Sequence, residues 1–234
     1  MKLAIMGAMV EEITPLLECF EHYTCEEFGK NKYYTTSYKG VDVVIAYSKI
    51  GKVNASLTAT TLIEKYGAQK LLFSGVAGAI NPSLKIGDLI VATKLAQHDL
   101  DITAFGHPHG FVPEGAVFVE SDSALMEIAK KVACERKIPL QEGIIATGDQ
   151  FICNEEKKNW IGTTFHADAL EMEGASVAVV CDALKVPFCI LRAISDAADM
   201  DAGFSFDTFL ESSAKQSATF MMAILDTLAH DNHQ

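Results

Sequence analysis

The chain is poor in arginine. Among its 19 basic residues only Arg136 and Arg192 carry a guanidinium, the planar fork that proteins prefer for gripping a phosphate dianion. A formal net charge of -12 excludes nucleic acid as a partner, because a polyanion would be repelled over most of the surface. The cysteines at 19, 25, 134, 153, 181 and 189 show no CxxC spacing, and two of them sit inside apolar runs. Free thiols in a reducing compartment fit this pattern, and a disulfide framework does not. No apolar run has the length needed to cross a bilayer. The opening MKLAIMGAMV leads straight into Glu11 and Glu12 without a small-residue cleavage site, so it is not a signal segment. There is no internal repeat, no low-complexity tract and no linker rich in Pro, Gly or Ser. Neither a G-x-G-x-x-G nor a P-loop pattern occurs, so a dinucleotide or nucleoside triphosphate site would lack its phosphate motif. A soluble, cytoplasmic protein acting on neither nucleic acid nor membrane is the expectation.

What is present supports a substantial core. With 234 residues and 49% hydrophobic content, a single domain spanning 1–234 is expected. Its organising stretch is 169–199, ALEMEGASVAVVCDALKVPFCILRAISDAAD. It reads as a strand end bearing Glu171 and Glu173, a short helix, then a nearly unbroken apolar run from Pro187 to Ile194 that stops at Ser195-Asp196. Such a run is a buried parallel strand, and open α/β sheets keep their ligands at the carboxyl ends of such strands. Acids at two consecutive element ends can converge on one pocket. The bland alternative is structural: Arg192 bonded to Glu173 within the sheet, with Glu171 favouring a helix N-terminus.

Elsewhere strands and helices alternate, which predicts a mixed, mainly parallel sheet flanked by helices. Lys2 to Met6 reads as a first strand turning at Gly7-Ala8 into a helix whose early acids suit its dipole, with Pro15 expected in the first turn. Glu12 is thereby held at the carboxyl edge of that strand. Tyr33–Tyr38 and Val41–Tyr47 form a hairpin across Lys39-Gly40. The next helix is expected to face the sheet with Val53, Leu57, Thr60 and Ile63. Lys70–Phe73 is a buried strand ending in the small-residue turn Ser74-Gly75-Val76-Ala77-Gly78-Ala79. Backbone N–H groups at Val76, Ala77 and Gly78 can approach a ligand there. Ile86–Ala92 is a strand, followed by a long loop from Gln97 to Gly115 containing Phe105, Phe111 and Pro113, a pocket wall or subunit contact. His107 and His109 lie near Asp99 and Asp101, but their spacing matches no standard metal site, and His98 reads as structural; no metal or cofactor is expected. Leu125, Ile128, Ala129 and Val132 mark the helix 122–136. Glu142–Thr147 is a strand that ends in Gly148-Asp149-Gln150-Phe151-Ile152, where two apolar residues call for something to cover them. Asn154 caps the next helix. The last helix buries Leu210, Ala214, Ser217, Met221, Ile224 and Leu228, with Phe206 at its start free to line a pocket.

Taken together, Gly7-Ala8-Met9 with Glu12, SKIGKV at 48–53, SGVAGA at 74–79, GDQF at 148–151, EMEGA at 171–175 and RAISDAAD at 192–199 resemble the 5′-methylthioadenosine/S-adenosylhomocysteine nucleosidases. These belong to the purine nucleoside phosphorylase superfamily. The resemblance covers essentially the whole chain. It implies the nucleoside phosphorylase-like three-layer α/β fold and hydrolysis of the bond between adenine and a 5′-substituted ribose. It also implies roles: Asp196 protonates the departing adenine with Ser195 orienting it, Glu173 steadies the cationic sugar, and Glu12 readies the water. Met172 packs on the ribose, Phe151 and Ile152 hold adenine, and Phe206 with Ile50 lines the 5′-substituent pocket. A homodimer is implied in which Phe105 and Pro113 reach in from a second subunit. Val76 replaces a serine found in some members. The wording of SKIGKV, SGVAGA and QHDLDITAF is most similar to members that also act on 6-amino-6-deoxyfutalosine in a menaquinone route. Two alternatives stay open. A nucleoside phosphorylase on the same fold would have Arg192 as its one available fork, and a non-catalytic nucleoside-binding protein could dispense with the acids.

Overall fold

The structure, a computed structural model, describes residues 1–231. In chain order its strands are β1 (Lys2–Gly7), β2 (Thr24–Phe28), β3 (Asn31–Tyr38), β4 (Val41–Tyr47), β5 (Lys70–Ala79), β6 (Leu89–Gln97), β7 (Phe118–Glu120), β8 (Leu140–Thr147), β9 (Ala169–Glu171) and β10 (Phe188–Asp196). Its α-helices are α1 (Val10–Leu17), α2 (Lys52–Glu64), α3 (Ser123–Arg136), α4 (Glu155–Phe165), α5 (Gly174–Ala183) and α6 (Ala202–Asp231). The strands form one 10-stranded mixed sheet. Because β10 pairs with both β5 and β6, the strands β5, β10, β6, β8 and β9 close into a ring. From β5 the sheet continues outward as β1, β4, β3 and β2.

Strand periodicity builds the layers. On β1, Ala4 and Met6 face one side, where α2 and α5 pack with Ala55, Ala59, Leu62, Val177 and Cys181. Leu3 and Ile5 face the other, against Ile13 and Leu16 of α1, Leu125 and Ala129 of α3, and Phe220 and Ile224 of α6. Burial on both faces is why β1 and β10 read as unbroken apolar runs; each such side chain contributes about 1.5–3 kcal/mol. A third cluster joins Ile161 and Phe165 of α4 to Ile152 and Leu170. Helix starts follow local chemistry: Asp122 accepts the Leu125 N–H at 2.9 Å, and Asn154 the Lys157 N–H at 3.0 Å. No helix among the described residues is long and apolar enough to cross a membrane.

The expected hairpin is present, with Lys39 and Gly40 both at positive φ (46° and 76°) as a tight two-residue turn requires. Several expectations need correction. A further hairpin strand, β2, precedes it and is exposed throughout. The helix 52–64 buries Ala55, Thr58, Ala59, Leu62 and Ile63; Val53, Leu57 and Thr60 point outward, with Val53 78% and Leu57 57% exposed. Pro15 stands in the second turn of α1, not the first, since the helix already begins at Val10. Residues 74–79 are not a turn: β5 runs straight through them, paired with β10 and then β9. Residues 86–88 belong to a turn in which Asp88 accepts the Lys85 N–H, and the strand starts at Leu89.

Candidate active site

The carboxyl ends of β1, β5, β9 and β10 open on one cavity of about 390 Å³, a size suited to a small organic ligand. Glu12, Glu173 and Asp196 all line it, although they come from three separate elements. Each is buried, at 2%, 6% and 3% exposure.

Glu12 is the third residue of α1 and turns back over the strand end. Its Oε2 accepts the N–H groups of Ala8 (2.5 Å) and Met9 (3.1 Å), and its Oε1 accepts that of Val76 (3.1 Å). The Gly75 backbone passes so close that a Cβ there would stand 2.7 Å from Glu12 Oε1. Burial raises the Glu12 pKa, outweighing the opposing Arg192 charge and the backbone donors.

Glu173 sits at the start of α5, and Gly51, the N-cap of α2, donates its N–H to Glu173 Oε1 at 2.8 Å. Burial, and then the neighbouring Glu171 and Glu12 charges, push the Glu173 carboxyl up to about 8, against the Gly51 N–H and Arg192. Asp196 ends β10 after a register shift against β5 that leaves Ser195 as the extra residue, a bulge of the kind that re-aims a side chain. Ser195 Oγ donates to Asp196 Oδ2 and the Ala198 N–H to Oδ1, both at 2.9 Å. Burial raises this carboxyl too, despite those two donors.

Ile50, Val76, Ala77, Gly78, Phe151, Ile152, Met172, Ser195 and Phe206 also line the cavity. The Phe151 and Phe206 rings meet edge to face at 5.6 Å. Arg192 does not line it, and neither do Phe105 and Pro113, whose expected place is the cavity of a second subunit. Phe105 and Pro113 lie exposed on the long loop, Phe105 at 81%. Arg192 is sealed beneath the site: its NH2 donates to Glu171 Oε2 at 2.6 Å, its NH1 to the carbonyls of Leu191 and Phe73, and its guanidinium lies 4.0 Å over the Phe73 ring. Arg192 therefore pairs with Glu171, where the structural alternative had put Glu173. Glu171 also accepts from Thr147 and from the N–H groups of Glu173 and Gly174, so it fastens the start of α5 to the sheet.

Ala8, Met9, Gln150, Leu170, Glu171, Gly203 and Asp207 complete the lining. Met9 and Gln150 lay within recognised motifs. Asp207 gave no signal, because one acid on an amphipathic helix reads as a solvated face. No Lys, Arg or His lines the cavity among the described residues.

The α/β sheet thus gathers several buried carboxyls in one apolar pocket, the groups that acid–base chemistry requires. The comparisons specify the class. Residues 2–229 match the model of the phosphorylase superfamily. Aminodeoxyfutalosine nucleosidase of Campylobacter jejuni is 60% identical over 228 residues, covering 97% of this chain and 100% of that protein. A 5′-methylthioadenosine/S-adenosylhomocysteine nucleosidase of Bacillus thuringiensis is 37% identical over 230 residues, covering 97% of this chain and 100% of that protein. The crystal structure of the Helicobacter pylori 5′-methylthioadenosine/S-adenosylhomocysteine nucleosidase aligns with a TM-score of 0.96 at 52% identity, covering 97% of this chain and 98% of that one. That structure holds a pyrrolidinol bearing an aminopyrrolopyrimidine and a propynylthiomethyl group. The chain belongs to the phosphorylase superfamily, in the nucleosidase branch that these relatives represent.

Proposed function

We propose that the chain is a single-domain N-ribosyl hydrolase that releases adenine from nucleosides with a 5′-substituted ribose. The substrates proposed are 6-amino-6-deoxyfutalosine, 5′-methylthioadenosine and S-adenosylhomocysteine, the compounds for which its relatives are named. The observation that carries the reading is the meeting of Glu12, Glu173 and Asp196 in one apolar cavity.

The steps follow from what each carboxyl can do. Adenine is a poor leaving group as an anion, so Asp196, whose pKa burial raises, gives its proton to adenine N7 as the bond from N9 to the anomeric carbon breaks. The bonding electrons leave with the base, and the ribose becomes oxocarbenium-like. Glu173 beneath the sugar holds its hydroxyls, and in its ionised form it stabilises that charge. Glu12 takes a proton from water as the water oxygen bonds to the anomeric carbon. The products are neutral adenine and the free 5-substituted ribose. Phe151, with Ile152, covers the base, Met172 packs on the ribose, and Phe206 and Ile50 flank the 5′-substituent.

Phosphorolysis would bring a dianion to a cavity whose charged lining is entirely acidic, while Arg192 is committed to Glu171. The exposed apolar face of α2, with Val53 and Leu57, together with the exposed Ile50 and Phe105, favours a homodimer in which Phe105 and Pro113 of one copy approach the cavity of the other. We place the protein in the cytoplasm, in keeping with its free thiols. The deciding experiment follows adenine by chromatography from each of the three substrates in phosphate-free buffer. Turnover without phosphate is expected, and an absolute requirement for phosphate overturns the reading.

A further inference from the structure

Between the cavity and the surface lies a ring of hydrogen bonds that takes no part in the steps above. Asp99 Oδ1 accepts from Lys52 Nζ at 2.6 Å, and Asp99 Oδ2 accepts the Asp149 N–H at 2.8 Å. Asp149 Oδ1 in turn accepts the Lys52 N–H at 2.7 Å. The adjoining residue, Gly51, is the one whose N–H holds Glu173. Lys52, Asp99 and Asp149 all lie outside the cavity lining.

The ring answers a local need. α2 starts on a glycine N-cap, which has no side chain to accept the first-turn N–H groups. Asp149 supplies that acceptor from a different segment, the one following β8. It must itself be held still, and the pair His98-Asp99 does so. The His98 ring fills the space where a Cβ on residue 148 would stand, 2.3 Å from His98 Cε1, while Asp99 binds the Asp149 N–H. Burial alone would raise the Asp99 pKa, but the Lys52 ammonium and the Asp149 N–H outweigh it, so the carboxylate is held charged. Two branches then reach the cavity: Gly51 through Glu173, and Asp149 through Phe151 and Ile152 just beyond it.

We infer that Asp99 is a positioning residue: through Lys52 and Asp149 it fixes the hydrogen bond that Gly51 gives Glu173 and the stance of residues 150–152 over the cavity. This inference rests on the nucleosidase reading, which gives Glu173 its place beneath the ribose. Misplacing a reacting group by about 1 Å costs on the order of 100-fold in rate.

The test compares kcat and KM for adenine release, per folded protein, in wild type, Asp99→Ala, Asp149→Ala, Asp99→Asn and the double alanine variant. Each alanine variant is expected to lower kcat by about 10- to 100-fold, more than it raises KM. Asp99→Asn keeps a carbonyl acceptor for the Asp149 N–H and is expected to recover part of the loss. The double variant should match the worse single variant, because both break the same ring. Wild-type kcat in folded Asp99→Ala, a loss confined to KM or to melting temperature, or losses that multiply in the double variant would each overturn the inference. Should Asp99→Ala not fold, Lys52→Met reads the ring from its cationic side: a kcat reduced about tenfold supports the inference and an unchanged kcat overturns it. Wild type is measured first. A wild-type chain that releases no adenine removes the nucleosidase reading, whereas active wild type with unaffected variants removes only the role given to Asp99.

Discussion

Oε1 of Glu12 rests 2.7 Å from the point where a Cβ on Gly75 would stand, and Oδ1 of Asp196 bears the same relation, also at 2.7 Å, to Gly78. Two glycines of β5 thus leave room for the carboxyls at opposite ends of the proposed reaction.

Neither glycine has the positive φ that would strain an alanine, so Gly75→Ala and Gly78→Ala are expected to fold. Each should reduce kcat by about 10- to 100-fold as the added methyl displaces a carboxyl. Circular dichroism with single-substrate kinetics checks this. Wild-type rates in both variants would mean that the acids tolerate displacement.

Asp196→Asn keeps the size of the side chain and an oxygen for the Ala198 N–H, with its amide nitrogen donating to Ser195 Oγ where Asp196 accepts from it, but has no acidic proton to give. Turnover should fall by about 100- to 10,000-fold while nucleoside binding, followed by calorimetry, stays within a few-fold of wild type. Unchanged turnover would take Asp196 out of the mechanism.

Burial raises both Glu12 and Asp196 above the ordinary carboxylate range, and the two have opposite requirements. The base Glu12 must be ionised, so kcat/KM should fall as pH drops through its raised pKa. The acid Asp196 must be protonated, so kcat/KM should fall as pH rises through its own. Glu173, which steadies the cation only when ionised, adds to the same limb as Glu12, so a bell-shaped profile is expected whose acid limb lies above the usual glutamate value of 4.5. An acid limb at or below that value would contradict the burial effect.

Glu173 carries its titration into stability. Its carboxyl is raised from 4.5 to about 8, so between these values the native state holds a proton that the unfolded chain has released. Stability should therefore decline as pH rises across that window. Glu173→Gln has nothing to release and keeps a carbonyl oxygen for the Gly51 N–H. Its melting temperature should gain on wild type by a few degrees between about pH 5 and about pH 9. A pH-independent difference would show that Glu173 titrates normally.

Leu57→Asp places a charge on the exposed α2 face without disturbing the core. Sedimentation velocity should show wild type as a dimer and, at the same concentration, the variant as a monomer, with activity reduced if Phe105 completes the neighbouring site. A variant that stays dimeric would move the interface elsewhere.

Much of this site was legible because its acids follow breaks in apolar runs: Asp196 ends β10, and Glu12 follows the Gly7-Ala8 corner. Such breaks mark strand ends, where α/β proteins keep their chemistry. Pairing partners were harder to read. Glu171 and Glu173 are nearly adjacent, and only the turn into α5 decides which one Arg192 meets. α2 has apolar residues on two faces, and its more conspicuous stripe, Val53 and Leu57, is the one that points outward, while the buried stripe consists largely of alanine and threonine. β2, TCEEF, leaves no signal in the sequence because a strand exposed on both faces shows no alternation. The small residues after Phe73 suggest a turn, whereas in the fold they allow β5 to pass directly beneath two carboxyls.

The ring closure of β10 has a consequence for the lifetime of the proton donor's geometry. Asp196 ends a strand that is zipped to β5 along one border and to β6 along the other, so β10 cannot fray from a free edge. Amide deuteration along Leu191–Ala193 should accordingly require opening on the scale of the whole molecule, and transient breathing at the protein's periphery would leave the donor where it is.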